Sequence, residues 1–299
     1  MNGKITNWTG MVEERFPGLI ANVREEIENS EKEFEIQSGN AGSSESRLWE
    51  HTTHVASLAF RLARAENRPP LIPTIAALFH DAGKFAGGRY HDEDTIEEEK
   101  SAETAIRILG EAGMKPAELA KTIAGVKALY NEKASKNHIA AIVHDADFLS
   151  KSGAMGVAAF FTKATLRGRA LESAMLGWLS KELTYAACLP QNMRTAAGKK
   201  LAEQKSRDTI GFFRKLLREM RESGLAELRI RRLRILDPRS RKKNLEILLA
   251  ASHKCLKCGL SWQPAWFTED GVKCTKLNVE WHCSDCGGEL NTSFCLPEM

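Results

Sequence analysis

Two imidazoles and two carboxylates, His51, His80-Asp81 and Asp147, fall on helix-like segments of this 299-residue chain. The doublet closes the apolar run Ala76-Ala77-Leu78-Phe79 and is followed by Ala82-Gly83-Lys84. Burying a histidine beside an aspartate costs free energy unless something compensates both groups. A divalent metal does so, and neutral imidazole nitrogen with carboxylate oxygen suits Mn, Fe, Co, Ni or Mg better than a closed structural zinc site. Four protein ligands in an octahedral sphere leave positions for water and a phosphate oxygen, which is what a metal-dependent hydrolase needs. On a helix the side chains of His80 and Asp81 diverge by about a third of a turn, yet both reach an ion at the helix end. The same doublet also reads as a helix C-terminus capped at Gly83. His54 lies one turn beyond His51 on the same face, and Asp145 competes with Asp147 for the last ligand position.

In their order along the chain, these motifs resemble the HD-domain phosphohydrolase superfamily. The resemblance is carried by His51-Thr52-Thr53-His54-Val55-Ala56, Phe79-His80-Asp81-Ala82-Gly83-Lys84 and Asp145-Ala146-Asp147-Phe148-Leu149. It extends to Gly153-Ala154-Met155-Gly156-Val157, Leu166-Arg167-Gly168-Arg169, Met193-Arg194-Thr195 and Lys200-Leu201-Ala202-Glu203. The later motifs are similar to those of small bacterial HD hydrolases that cleave nucleotides, and the match covers roughly residues 45–222. The resemblance implies that His51, His80, Asp81 and Asp147 hold the metal, with Asp145 orienting a neighbouring group or an arginine. It implies one catalytic metal, because His91 falls in a loop and residues 128–131 offer no histidine.

For such an enzyme, Asp81, Lys84 and His54 are the catalytic candidates. Lys84 would neutralise phosphate charge and His54 would stand near a substrate phosphate. Arg167 and Arg169 would clamp phosphate oxygens bidentately. Each has a plainer reading, as a half-exposed helix histidine, a solvated lysine or a basic surface loop. The acidic run Glu97-Glu98-Glu99 offers a proton donor or supporting carboxylate, although charge runs are usually solvated faces.

The elements that must position these groups are helices. Apolar periodicity predicts one amphipathic helix over 12–36, with Phe16, Leu19, Ile20, Val23 and Ile27 on one face, and a loop over 39–46. Further helices are expected over 55–65, 72–80, 98–111, 116–129, 139–151 and 198–221, with no strand pattern between 48 and 222. Composition is that of a soluble globular protein, 42% hydrophobic and 27% charged with a net charge of +4. No apolar run nears the roughly 20 residues of a membrane helix and no signal peptide is legible, so a cytoplasmic protein is expected.

After Gly224 the composition changes. Residues 229–236 mix apolar and basic side chains, and 239–251 read as a short helix that opens with Arg241-Lys242-Lys243. The seven cysteines crowd towards the C-terminus. Cys255-Leu256-Lys257-Cys258-Gly259 and Cys283-Ser284-Asp285-Cys286-Gly287 are matching knuckles, with 24 residues between Cys258 and Cys283. This resembles a zinc ribbon, with structural Zn on Cys255, Cys258, Cys283 and Cys286. Trp262, Trp266, Phe267 and Trp281, interleaved with lysines, suit base stacking or a miniature core of the ribbon's own.

The expected architecture is an all-α HD-domain helical bundle with a small C-terminal β zinc ribbon. It divides into an N-terminal helix and loop (1–47), the HD domain (48–222), a basic linker (223–252) and the ribbon (253–299). The expected activity is metal-dependent hydrolysis of nucleotides or related phosphate esters. The alternative is a nuclease or phosphodiesterase in which linker and ribbon bind a single strand. A protein partner for the linker is also consistent with its charge.

Overall fold

The computed structural model describes residues 7–37, 46–88, 97–129, 136–166, 168, 170–224 and the strand segments 229–236, 244–251, 253–254, 261–262, 276–282 and 289–295. It divides into two units, residues 1–150 with 193–198, and residues 151–192 with 199–299.

In the first unit, the expected single helix over 12–36 is two, α1 (Trp8–Arg15) and α2 (Leu19–Gln37). The break falls at Phe16-Pro17-Gly18, where Phe16 is out of the helical region at φ −138° and ψ 82° and Gly18 takes φ +80°. Proline disfavours helical backbone at the residue before it, and glycine reaches positive φ without strain, so local chemistry overrides the apolar period. α2 still buries Leu19, Val23, Ile27, Glu31 and Glu35 at helical spacing.

α3 (Arg47–Ala65) begins at Ser46, whose hydroxyl accepts from Trp49 N at 3.0 Å and donates to Glu31 Oε2 at 2.5 Å. Glu31 Oε2 also accepts from Leu48 N at 3.2 Å, which ties the start of α3 to α2. α4 (Leu71–Phe79) is buried on all sides from Pro73 onward, as expected of a helix that is apolar all round. A turn and a single 3-10 segment (Ala86–Gly88) follow it. α5 (Glu97–Glu111), α6 (Pro116–Lys127) and α7 (His138–Ser150) complete the helices of this unit. α3, α4 and α7 pack against one another pairwise, and every candidate metal ligand lies on or next to one of them.

The second unit holds α8 (Gly153–Leu166), α9 (Leu171–Asn192) and most of α10 (Ala196–Glu222). Its helical core joins Val157, Phe160, Leu179, Leu183, Phe213 and Leu217. Among the described residues 7–224 no strand occurs, as the sequence led us to expect. Beyond them, β1 (Arg229–Leu236) pairs antiparallel with β2 (Asn244–Ala251). The helix expected over 239–251 is therefore replaced over its C-terminal part by a strand. The register sets Leu233 opposite Ile247 and Ile235 opposite Leu245, and that two-residue apolar spacing is the strand period.

Two further ladders follow, β3 (His253–Lys254) with β4 (Ser261–Trp262), and β5 (Lys276–His282) with β6 (Glu289–Cys295). Cys255, Cys258, Cys283 and Cys286 lie outside the described residues. No helix among the described residues is long and apolar enough to cross a membrane.

Candidate metal centre

α3 presents His51, the C-terminal end of α4 presents His80 and Asp81, and α7 presents Asp147. His51 Nε2 lies 3.2 Å from His80 Nε2, 3.2 Å from Asp147 Oδ1 and 3.6 Å from Asp81 Oδ2. His80 Nε2 lies 3.5 Å from Asp81 Oδ1 and 3.8 Å from Asp147 Oδ1. Single donor atoms of His51, His80 and Asp81 fall within 4.8 Å of one another and could hold a metal ion. Asp147 approaches this cluster from the opposite helix.

The orientation of both rings is fixed from behind. His80 Nδ1 donates to Ala77 O at 2.8 Å. Ser150 Oγ donates its proton to Asp147 O at 2.7 Å, so at 3.3 Å it accepts from His51 Nδ1. Both Nε2 atoms are thereby turned towards the Asp81 and Asp147 carboxylates, an arrangement of donors suited to a cation. Adjacent ligands about 2.1 Å from one octahedral ion sit about 3.0 Å apart, close to the shorter separations here. The donor set fits a divalent cation.

The same crowding shapes the proton affinities. Burial pulls the His80 imidazole down, but the Asp81 and Asp147 carboxylates outweigh it and its pKa is raised. Lys84 Nζ lies 2.8 Å from Asp81 Oδ2. Burial lowers the Lys84 pKa while Asp81 raises it further, and the net direction is upward. Glu97, at the start of α5, is pushed up to about 7, chiefly by burial and then by the Asp81 charge, with Lys84 opposing.

The turn carrying the doublet is clamped to α5. Gly83 N donates to Ser101 Oγ at 2.9 Å, and Ser101 Oγ donates to His80 O at 3.2 Å. A Cβ on Gly83 would meet Ser101 N at 2.4 Å, so glycine is required here for close approach and not as a left-handed cap.

Asp145, fully buried, turns away from the cluster. It accepts from Arg194 N at 2.9 Å, Thr195 N at 2.8 Å, Thr195 Oγ1 at 2.7 Å and His144 Nδ1 at 3.0 Å. It thus fastens the 193–198 segment to α7 through the backbone N–H groups of Arg194 and Thr195, where the sequence suggested a neighbouring group or an arginine. His54 is half-buried and outside the three-residue cluster. Arg167 and Arg169 lie outside the described residues.

Sequence reasoning passed over Ser150 and Ser101. Ser150 carried one signal, its position three residues after Asp147 on the same helix face. Ser101 is eighteen residues from Gly83 and carried none.

Comparison with known families matches the HD domain to residues 48–151, under half of the chain. This span contains the four candidate ligands. No curated protein matches the chain. Among solved structures, a predicted HD superfamily hydrolase from an uncultured Thermotogales bacterium is similar at 20% identity and a TM-score of 0.50. That match covers 72% of this chain and 99% of the other. Bacillus subtilis YpgQ in complex with ADP is similar at 22% identity and a TM-score of 0.47, covering 67% of this chain and 96% of the other. The helical region therefore has an HD-like fold.

Proposed function

We propose that the protein is a metal-dependent phosphohydrolase acting on nucleotides or related phosphate esters. The observation that supports it best is the convergence of both Nε2 atoms with Asp81 and Asp147 inside the HD-matched span. His51, His80, Asp81 and Asp147 would hold one Mn, Mg, Fe, Co or Ni ion. When bound, such an ion polarises a phosphoryl oxygen and lowers the pKa of its water. Ala77 O and Ser150 Oγ keep the imidazole lone pairs turned inward.

Asp81 lies on the turn that the Gly83–Ser101 contact pins to α5 and, as a ligand of the ion, would help to position the attacking water. Lys84, beside Asp81, stabilises negative charge on the phosphoryl oxygens. Glu97, half-buried at the start of α5, is the candidate to give a proton to the leaving oxygen. His54 and, from the second unit's sequence, Arg167 and Arg169 are the remaining phosphate-contact candidates.

A nucleoside triphosphate and sugar-phosphate panel with added Mn or Mg tests this reading. Phosphate or pyrophosphate release should require the metal. It should fall about a hundredfold or more in Asp81→Asn and His80→Ala, with metal content lost in step. Turnover of no panel member by the metal-loaded wild type would overturn it.

Single-stranded DNA and RNA belong in the same panel. β1 carries Arg229, Arg231, Arg232 and Arg234 within eight residues, which favours a second reading in which a strand is the substrate. The paired strands on either side of each Cys-x-x-Cys support structural Zn on Cys255, Cys258, Cys283 and Cys286.

A further inference from the structure

A second cleft opens in the first unit and contains none of the four candidate metal ligands. Its volume is about 220 Å³, and Glu66, Arg68, Lys136, His138, Arg194 and Ala196 are among its lining residues. It lies where the chain leaves α3, enters α7 and approaches α10. Its charge is one-sided. Arg68, Lys136 and Arg194 bring cations and His138 an imidazole, against the single acid Glu66. Glu66 Oε1 already accepts from Ala197 N at 2.6 Å. Arg68, Lys136 and His138 have no ion-pair partner among the described residues.

We propose that this cleft binds a small phosphate-bearing anion. Arg68 and Lys136 line a concave site with no carboxylate paired to them among the described residues, and guanidinium and ammonium groups so placed select an oxyanion. The lining residues His138 and Ala196 open α7 and α10, so the positive ends of two long helices add to the attraction. One wall is built before any ligand arrives. Asp145 holds the backbone of Arg194 and Thr195, and Arg194 Nη1 donates to Leu129 O at 3.0 Å. That anchoring reduces the entropy lost on binding. The volume lies below the about 300 Å³ at which clefts begin to take drug-sized ligands. It suits inorganic phosphate or a phosphomonoester with a short substituent. The site stands independently of the hydrolase reading, because it is defined by binding and needs no metal.

Calorimetric titration of inorganic phosphate into the full-length, chelator-treated protein at constant ionic strength should show saturable binding. Arg68→Glu combined with Lys136→Glu should weaken it about tenfold or more. Arg61→Glu combined with Lys121→Glu reverses the same charge at exposed positions outside the cleft, and should leave affinity within about twofold. Circular dichroism confirms that each variant is folded, and the milder Arg68→Ala replaces any that is not. Glycerol phosphate titrated in parallel separates the sources, since tighter binding than phosphate identifies an ester and weaker binding the free ion. Absence of saturable binding, or equal weakening by the Arg61/Lys121 control, overturns the proposal. So does loss of binding in Lys84→Gln, which would place the phosphate at the metal cluster instead.

Discussion

Each imidazole of the cluster is anchored through Nδ1, one to a carbonyl in its own helix and the other to a hydroxyl on a neighbouring helix. Such partners commonly change metal affinity by about 10–100-fold when removed. Ser150→Ala should therefore weaken Mn binding within that range, measured by competition with a chelating dye, while the melting temperature stays close to wild type. An unchanged affinity would show that His51 needs no such anchor. Glu97 gives a pH signature. Its folded pKa of about 7 exceeds the ordinary 4.5, so the fold holds the proton more tightly than the unfolded chain does. The stabilisation from this proton is complete below about 4.5 and is lost as pH rises through about 7. In chelated protein, the melting temperature of wild type minus that of Glu97→Gln should fall across that window. A difference that is flat or rises with pH would contradict the placement of Glu97 beside Asp81.

At the level of elements, the doublet works because a turn is pressed against α5. Gly83→Ala puts a Cβ within 2.4 Å of Ser101 N, which requires the backbone to move. A loss of about 1–3 kcal/mol is expected in chemical denaturation, with metal affinity lowered because the same serine holds His80 O. Asp145→Ala should cost about 1–3 kcal/mol, since it strands the part-buried N–H groups of Arg194 and Thr195. These contacts mark the boundary of what the sequence discloses. The candidate ligands and the helices that carry them were legible because His, Asp and the 3.6-residue apolar period are local signals. α4 was legible for the same reason, a short run that is apolar all round. The break at Pro17-Gly18 was equally local, but the apolar spacing on both sides concealed it. The Gly83–Ser101 clamp and the Asp145 anchor join residues 18 and 49–50 positions apart, and spacing carries no information about such pairs. β2 was misread because Leu245, Ile247, Leu248 and Leu249 satisfy both periods in so short a run.

Across the whole molecule, the proposed catalytic metal and the proposed structural zinc would draw on separate stretches of the chain. The nitrogen and oxygen donors all fall between residues 51 and 147, inside the first unit, and the paired cysteines all fall beyond residue 254. Imidazole and carboxylate around an open cation exchange it readily, whereas four thiolates hold zinc in a closed shell. The two should therefore separate under chelation. Brief treatment with a carboxylate chelator is expected to abolish phosphate release, and added Mn or Mg to restore it, with zinc content constant throughout. Cys255→Ser with Cys283→Ser should do the reverse, removing zinc while nucleotide turnover stays within about twofold. If the thiol variants lost turnover of nucleotides and polymers alike, the C-terminal region would be part of the catalytic unit. If they lost cleavage of DNA or RNA alone, the arginine-bearing β1 hairpin and the cysteine knuckles would be the strand-binding half of a nuclease. The two outcomes are separable because the candidate catalytic ligands all lie within residues 51–147 and the paired cysteines do not.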